Sequence, residues 1–71
     1  MNSFTDGKLL RGLKIARVKA GLKQKALAKR VEVGQDHLSR IELCKLTPSW
    51  GLACRLADAL GVGLDDLVEV A

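Results

Sequence analysis

Gln24-Lys25-Ala26-Leu27-Ala28-Lys29-Arg30-Val31-Glu32-Val33-Gly34-Gln35-Asp36-His37-Leu38-Ser39-Arg40-Ile41-Glu42-Leu43 is the stretch that decides the fold. Leu27, Ala28 and Val31 recur at the spacing of one helical face, and Leu38 and Ile41 do so again. Only Glu32, Val33 and Gly34 separate the two patterns. The spacing therefore predicts a helix over about Gln24–Val31, a three-residue turn, and a second helix over Gln35–Leu43.

Upstream, Leu9, Leu13 and Ala16 recur at helical spacing and predict a helix from about Lys8 to Ala20, capped by Thr5 or Asp6 and ended by Gly21. Residues 1–6 read as a loose tail. Downstream, Lys45-Leu46-Thr47-Pro48 reads as a loop, and Pro48 suits a helix entry. Trp50, Ala53, Leu56, Ala57 and Leu60 form the stripe of a fourth helix, Ser49 to Leu60, closed by Gly61. A fifth short helix is expected over Leu64 to about Val68. No stretch alternates as a strand would. The expected fold is all-α, with Leu9, Leu13, Leu22, Leu27, Val31, Val33, Leu38, Ile41, Trp50, Ala53, Leu56, Leu60 and Leu67 buried.

Seventy-one residues make one domain. A chain this short buries only about 60% of its unfolded surface, so a second copy would be a natural supplement to its core. Residues 1–45 hold eleven Lys/Arg against four acids, a balance of +7; residues 46–71 hold Arg55 against Asp58, Asp65, Asp66 and Glu69, a balance of −3. A basic first part seeks a polyanion. One Trp, one Phe and no Tyr argue against a platform for stacking single-stranded bases. No apolar run approaches the ~20 residues of a membrane span, and the N-terminus lacks the pattern of a signal peptide. The expected location is cytoplasmic.

Cys44, Cys54 and His37 supply too few ligands for a metal site, and a cytosolic setting disfavours a disulfide. His37 has no nucleophile-and-acid partner set, and no Gly-rich phosphate loop is present, so no enzyme is expected. No cofactor and no small-molecule effector is implied.

Two short helices joined by three residues form the helix-turn-helix pattern. Ala20-Gly21-Leu22-Lys23-Gln24, Leu27-Ala28, Leu38-Ser39-Arg40-Ile41-Glu42, Leu56-Ala57-Asp58-Ala59-Leu60-Gly61-Val62 and Leu64-Asp65-Asp66-Leu67 occur in that order. In this ordered set, over residues 9–68, the chain resembles the Cro/C1-type phage-repressor family, also called XRE. The resemblance implies five helices, the third of them the recognition helix. It also implies a homodimer on two-fold related half-sites of double-stranded DNA, centred about 34 Å apart.

The resemblance further assigns roles. Gln24 stands where the family often contacts a phosphate, with Lys25 beside it. Gln35, Asp36, Ser39 and Arg40 stand where similar repressors read bases. Gln can bridge adenine N6 and N7, and Arg can bridge guanine O6 and N7. Asp36 lies one turn before Arg40 and is expected to hold it as an i, i+4 pair; the other role open to it is direct contact with cytosine N4. His37 is expected at the groove edge or as a bystander. Lys45, just past the helix, is expected on a phosphate, whereas Lys8, Arg11, Lys14 and Lys19 read as solubilising surface, the alternative being that one of them lies near the DNA backbone. Arg17 and Glu42 match an internal salt bridge between helix 1 and the end of helix 3.

Three positions depart from the family pattern. Lys23 replaces the usual Ser or Thr cap of helix 2. Glu32 and Cys44 stand where the family usually has Gly, whose place there is a positive φ at a helix end. Either the strain of a side chain is tolerated or the turn is shaped differently, and for Glu32 positive φ is expected. Ile15 and Val18 fall off the inward face of helix 1. Leu43, Leu46 and Leu52 cluster around the loop, and a dimer seam is expected at Leu46, Leu52 and the helix 5 region. The rival reading is an antitoxin-type regulator whose main partner is another protein; the chain shows almost nothing beyond the domain that would serve as a segment for it.

Overall fold

In a computed structural model that describes residues 9–68, five helices follow one another: α1 (Leu13–Lys19), α2 (Gln24–Arg30), α3 (Gln35–Glu42), α4 (Trp50–Leu60) and α5 (Leu64–Val68). No strand occurs among the described residues. None of the described helices is long and apolar enough to cross a membrane. The tail at residues 1–6 and the expected caps Thr5 and Asp6 lie outside the described residues.

The core gathers one face from each helix. Leu10, Leu13, Leu27, Leu38, Ile41, Leu56 and Leu67 are almost wholly buried, with Ala28, Val31, Leu52, Ala57 and Leu60 around them. Helix α2 packs on α3 and α4, and α5 closes the bundle against α1 and α4. Burial at about 25 cal/mol per Å² of apolar surface is the main favourable term for so small a domain.

Helix α1 starts later than its apolar spacing predicts. The Gly12 amide donates to the Leu67 carbonyl at 2.7 Å, and the Leu13 amide to Leu10 at 3.2 Å. The entry is thus a turn tied to α5, which rotates Leu10 into the core and leaves Leu9 half-buried. Leu22 and Val33 are also half-buried on the core's edge.

Helix α4 starts at Trp50 because Ser49 is its N-cap, the Ser49 Oγ accepting from the Leu52 amide at 3.2 Å. Trp50 was expected inside but is 43% exposed. It occupies the first helical position, roughly a quarter turn off the centre of the Leu52, Ala53, Leu56, Leu60 stripe. Leu52 takes the inner place instead and is 4% exposed.

Helices α1 to α4 all end in the same way. At Gly21, Glu32, Cys44 and Gly61 the chain turns through positive φ, at 75°, 63°, 59° and 67°. The amide of each donates three residues back, to Val18, Lys29, Ile41 and Asp58. The next amide donates five back, from Leu22, Val33, Lys45 and Val62 to Arg17, Ala28, Arg40 and Ala57. These paired bonds are Schellman motifs, and they satisfy carbonyls that the helix ends leave open. Glu32 and Cys44 hold the conformation expected of Gly at those slots. Glu32 produces the short turn between α2 and α3, and Cys44 aims the chain away from α3.

Candidate nucleic-acid interface

The site is built on α3. Leu38 and Ile41 are fully buried and fix its inner face. Asp36, His37 and Arg40 are consequently exposed on the outside, as is Gln35 at the first turn, and Ser39 is half-buried among them.

A polar chain of side chains fixes the helix from the other direction. Arg17 Nε donates to Glu42 Oε2 at 2.6 Å and its Nη2 to Oε1 at 3.2 Å, a two-pronged ion pair between α1 and the last residue of α3. Arg17 Nη1 donates to the Leu22 carbonyl at 2.9 Å. Gln24 Nε2 donates to Glu42 Oε1 at 3.0 Å, and Gln35 Nε2 donates to Gln24 Oε1 at 3.3 Å. The Arg17 and Glu42 side chains are 11% and 3% exposed, so the pair is held in a low-dielectric setting where each charge needs the other.

The structure thus brings Gln24 and Gln35 together at the adjoining N-termini of α2 and α3. Lys25 follows Gln24 and is exposed. Lys23 makes no side-chain cap for α2, in keeping with the departure noted in the sequence. Lys45 is exposed just past Cys44.

One expected contact is absent. The Arg17–Glu42 bridge is the only ion pair among the described residues, so Asp36 does not hold Arg40. Both side chains are exposed, and a helical i, i+4 pair in water is worth only about 0.2–0.5 kcal/mol.

Two features were missed at the level of sequence. The Gln24 amide is engaged on both sides rather than left open beside the helix terminus; its partners stand 18 and 11 positions away, and no local pattern signals them. Leu43 is 62% exposed. Its place seven residues after Asp36, on the outer stripe of α3, was a readable sign that it does not join Leu46 and Leu52. Leu46 is half-buried against the core and Leu52 is buried within it, so of the expected seam residues Leu52 serves the core of its own chain.

Cys44 and Cys54 are free thiols, each partly exposed. No group of three or more His, Cys, Asp or Glu suited to a metal occurs among the described residues.

The arrangement can present a row of hydrogen-bonding side chains on a rigid, two-helix mount. Comparisons with known proteins bear on the fold that carries it. No curated protein matches the chain. Among solved structures it is similar to the clp gene regulator ClgR from Corynebacterium glutamicum, with a TM-score of 0.78 and 25% identity over 90% of this chain and 67% of that one. It also shares its fold with the hypothetical transcription factor NHTF from Neisseria, with a TM-score of 0.76 and 23% identity over 93% and 74% of the two chains. The family model described as a helix-turn-helix domain matches residues 8–70, nearly the whole chain, and the chain belongs to the helix-turn-helix domain family.

Proposed function

We propose that this protein is a DNA-binding transcription regulator of the Cro/C1-type (XRE) kind. In this reading it binds double-stranded DNA as a homodimer on two-fold related half-sites, with α3 in the major groove. Its work is binding, not catalysis.

The observation that carries the reading is the Gln24–Gln35 bond on a helix clamped by Arg17 and Glu42. A Gln amide has two N–H donors and one carbonyl. With one N–H of Gln35 directed to Gln24, the other N–H and the Oε1 remain for adenine N7 and N6. The support presets which way the amide faces, so less side-chain freedom is lost on binding.

Arg40, one turn further along, suits guanine O6 and N7. Ser39 and Asp36 complete the reading face, and with Arg40 unpaired by it, Asp36 is available to accept from cytosine N4. His37 lies at the groove edge. Lys25 and Lys45, with Gln24 through what remains of its amide, address phosphates on either side of α3, which fix register without reading sequence.

Selection of bound duplexes from a random pool tests the proposal. The expected result is a two-fold symmetric site with half-sites about one helical turn apart and an affinity that falls steeply with salt. Recovery of no common sequence would overturn it.

A further inference from the structure

Helix α1 carries a second face that DNA reading leaves unused. Lys14, Ile15, Val18 and Lys19 are exposed on the side opposite the buried Leu13, with Arg11 exposed at the helix entry. Ile15 is 46% and Val18 60% exposed. No acid stands between Asp6 and Glu32. The face is therefore an aliphatic pair in a cationic rim. Phosphates suit the rim but gain nothing from the aliphatic centre, which calls for an apolar surface bordered by acids.

The chain itself carries an acidic surface with apolar side chains at its base. Asp58, Asp65 and Asp66 are exposed at the end of α4 and on α5, and Leu64 and Val68 on α5 are half-buried, packed in part on the core. Residues 46–71 hold four acids and a single base, Arg55. The two surfaces lie on neighbouring helices, since α1 packs against α5 and the Gly12 amide donates to the Leu67 carbonyl at 2.7 Å. Opposite characters on adjacent helices suit a two-fold axis between copies. Each copy's α1 then meets the other's α5, which forms every contact twice and closes the assembly at two chains.

We infer that a second copy of this chain docks here: Ile15 and Val18 of α1 seat against Leu64 and Val68 of the other copy's α5, with Lys14 and Lys19 facing Asp58 and Asp65. The inference rests on the homodimer part of the proposed function; it keeps the helix 5 region in the seam and pairs it with α1. The aliphatic pairs supply most of the attraction, while the charges set register and exclude the like-with-like arrangement.

Sedimentation of the full chain without DNA tests it, using charge reversal. K14E/K19E has two acidic surfaces and D58K/D65K two basic ones, so neither can pair with itself. Asp66 is kept because its carboxylate accepts from the Gly63 amide at 3.1 Å and caps α5. The wild type is expected at twice the 7.7 kDa of one chain. Each reversed protein alone is expected at one chain mass, and their equimolar mixture back at two. Ile15→Ser, which changes no charge, is expected to weaken the pair at least tenfold. Circular dichroism reads whether each variant remains helical.

A monomeric or open-ended wild type, a reversed protein that pairs as the wild type does, or a mixture of folded variants that stays monomeric would each overturn the inference. A dimer that behaves as expected but selects no DNA sequence would leave the seam standing and remove the regulatory reading. A monomer that selects a single half-site would do the reverse.

Discussion

Arg17 and Glu42 stand 25 positions apart in sequence and 2.6 Å apart in space, Nε to Oε2. This contact joins the first helix to the end of the third, and through Gln24 it extends to Gln35. A scaffold charge pair and the exposed Gln35 amide, proposed to read a base, therefore belong to one hydrogen-bonded chain.

Removing one side of that pair is expected to be costly. Arg17→Met leaves the Glu42 carboxylate, 3% exposed, with only the Gln24 amide as partner. Urea unfolding should show a loss of about 3 kcal/mol. The double variant R17M/E42L should recover most of it, because two apolar groups leave no charge to compensate. A single-variant loss under about 1 kcal/mol would show the pair to be solvent-screened.

Glu32 and Cys44 hold positive φ without being glycine. Side chains pay on the order of 1–2 kcal/mol for that conformation, partly offset by the entropy Gly loses on folding. Glu32→Gly and Cys44→Gly are each expected to raise the stability of the domain by roughly 1 kcal/mol. Gly61→Ala, at φ 67°, should lower it by a similar amount. Thermal unfolding of the three variants measures all of these; a Glu32→Gly protein no more stable than the wild type would mean that the turn carries no strain.

Leu10 rather than Leu9 should be the residue that anchors the chain entry. Leu10 is 1% exposed and Leu9 half-buried. Leu10→Ala is expected to cost about 3 kcal/mol and Leu9→Ala no more than about half as much. Equal losses in denaturant titrations would contradict the turn tied by Gly12 and Leu67.

Arg40 and Lys45 are expected to fail in different ways on DNA. Arg40 is exposed in the second turn of α3 over the buried Leu38 and Ile41, whereas Lys45 follows the left-handed Cys44 beyond the helix. Arg40→Ala should cost about 1–3 kcal/mol on the selected site and relax the choice of one base pair. Lys45→Ala should weaken all sequences alike and lower the salt slope by roughly one unit. Salt titrations against selected and scrambled duplexes separate the two. An Arg40→Ala protein weakened equally on both would make Arg40 a phosphate contact and leave the reading to Gln35 and Asp36.

Helix number, order and type were legible in the sequence because they follow from local spacing: Leu27, Ala28 and Val31, then Leu38 and Ile41, then Ala53, Leu56 and Leu60 each define a face within a few residues. The resemblance carried the positive φ at Glu32 and the Arg17–Glu42 pair, since those are properties of the fold that family position transmits; at Cys44 it marked the departure, and the structure decided for positive φ. Only the tertiary structure decided where α1 begins, because the Gly12 amide is claimed by Leu67, 55 positions away. It also decided that Leu52 and not Trp50 enters the core, and that Gln24 supports Gln35. Spacing along one helix says which residues share a face. Which of two adjacent apolar residues the neighbouring helices cover, and which polar atom finds a partner, depends on contacts between segments far apart in the chain.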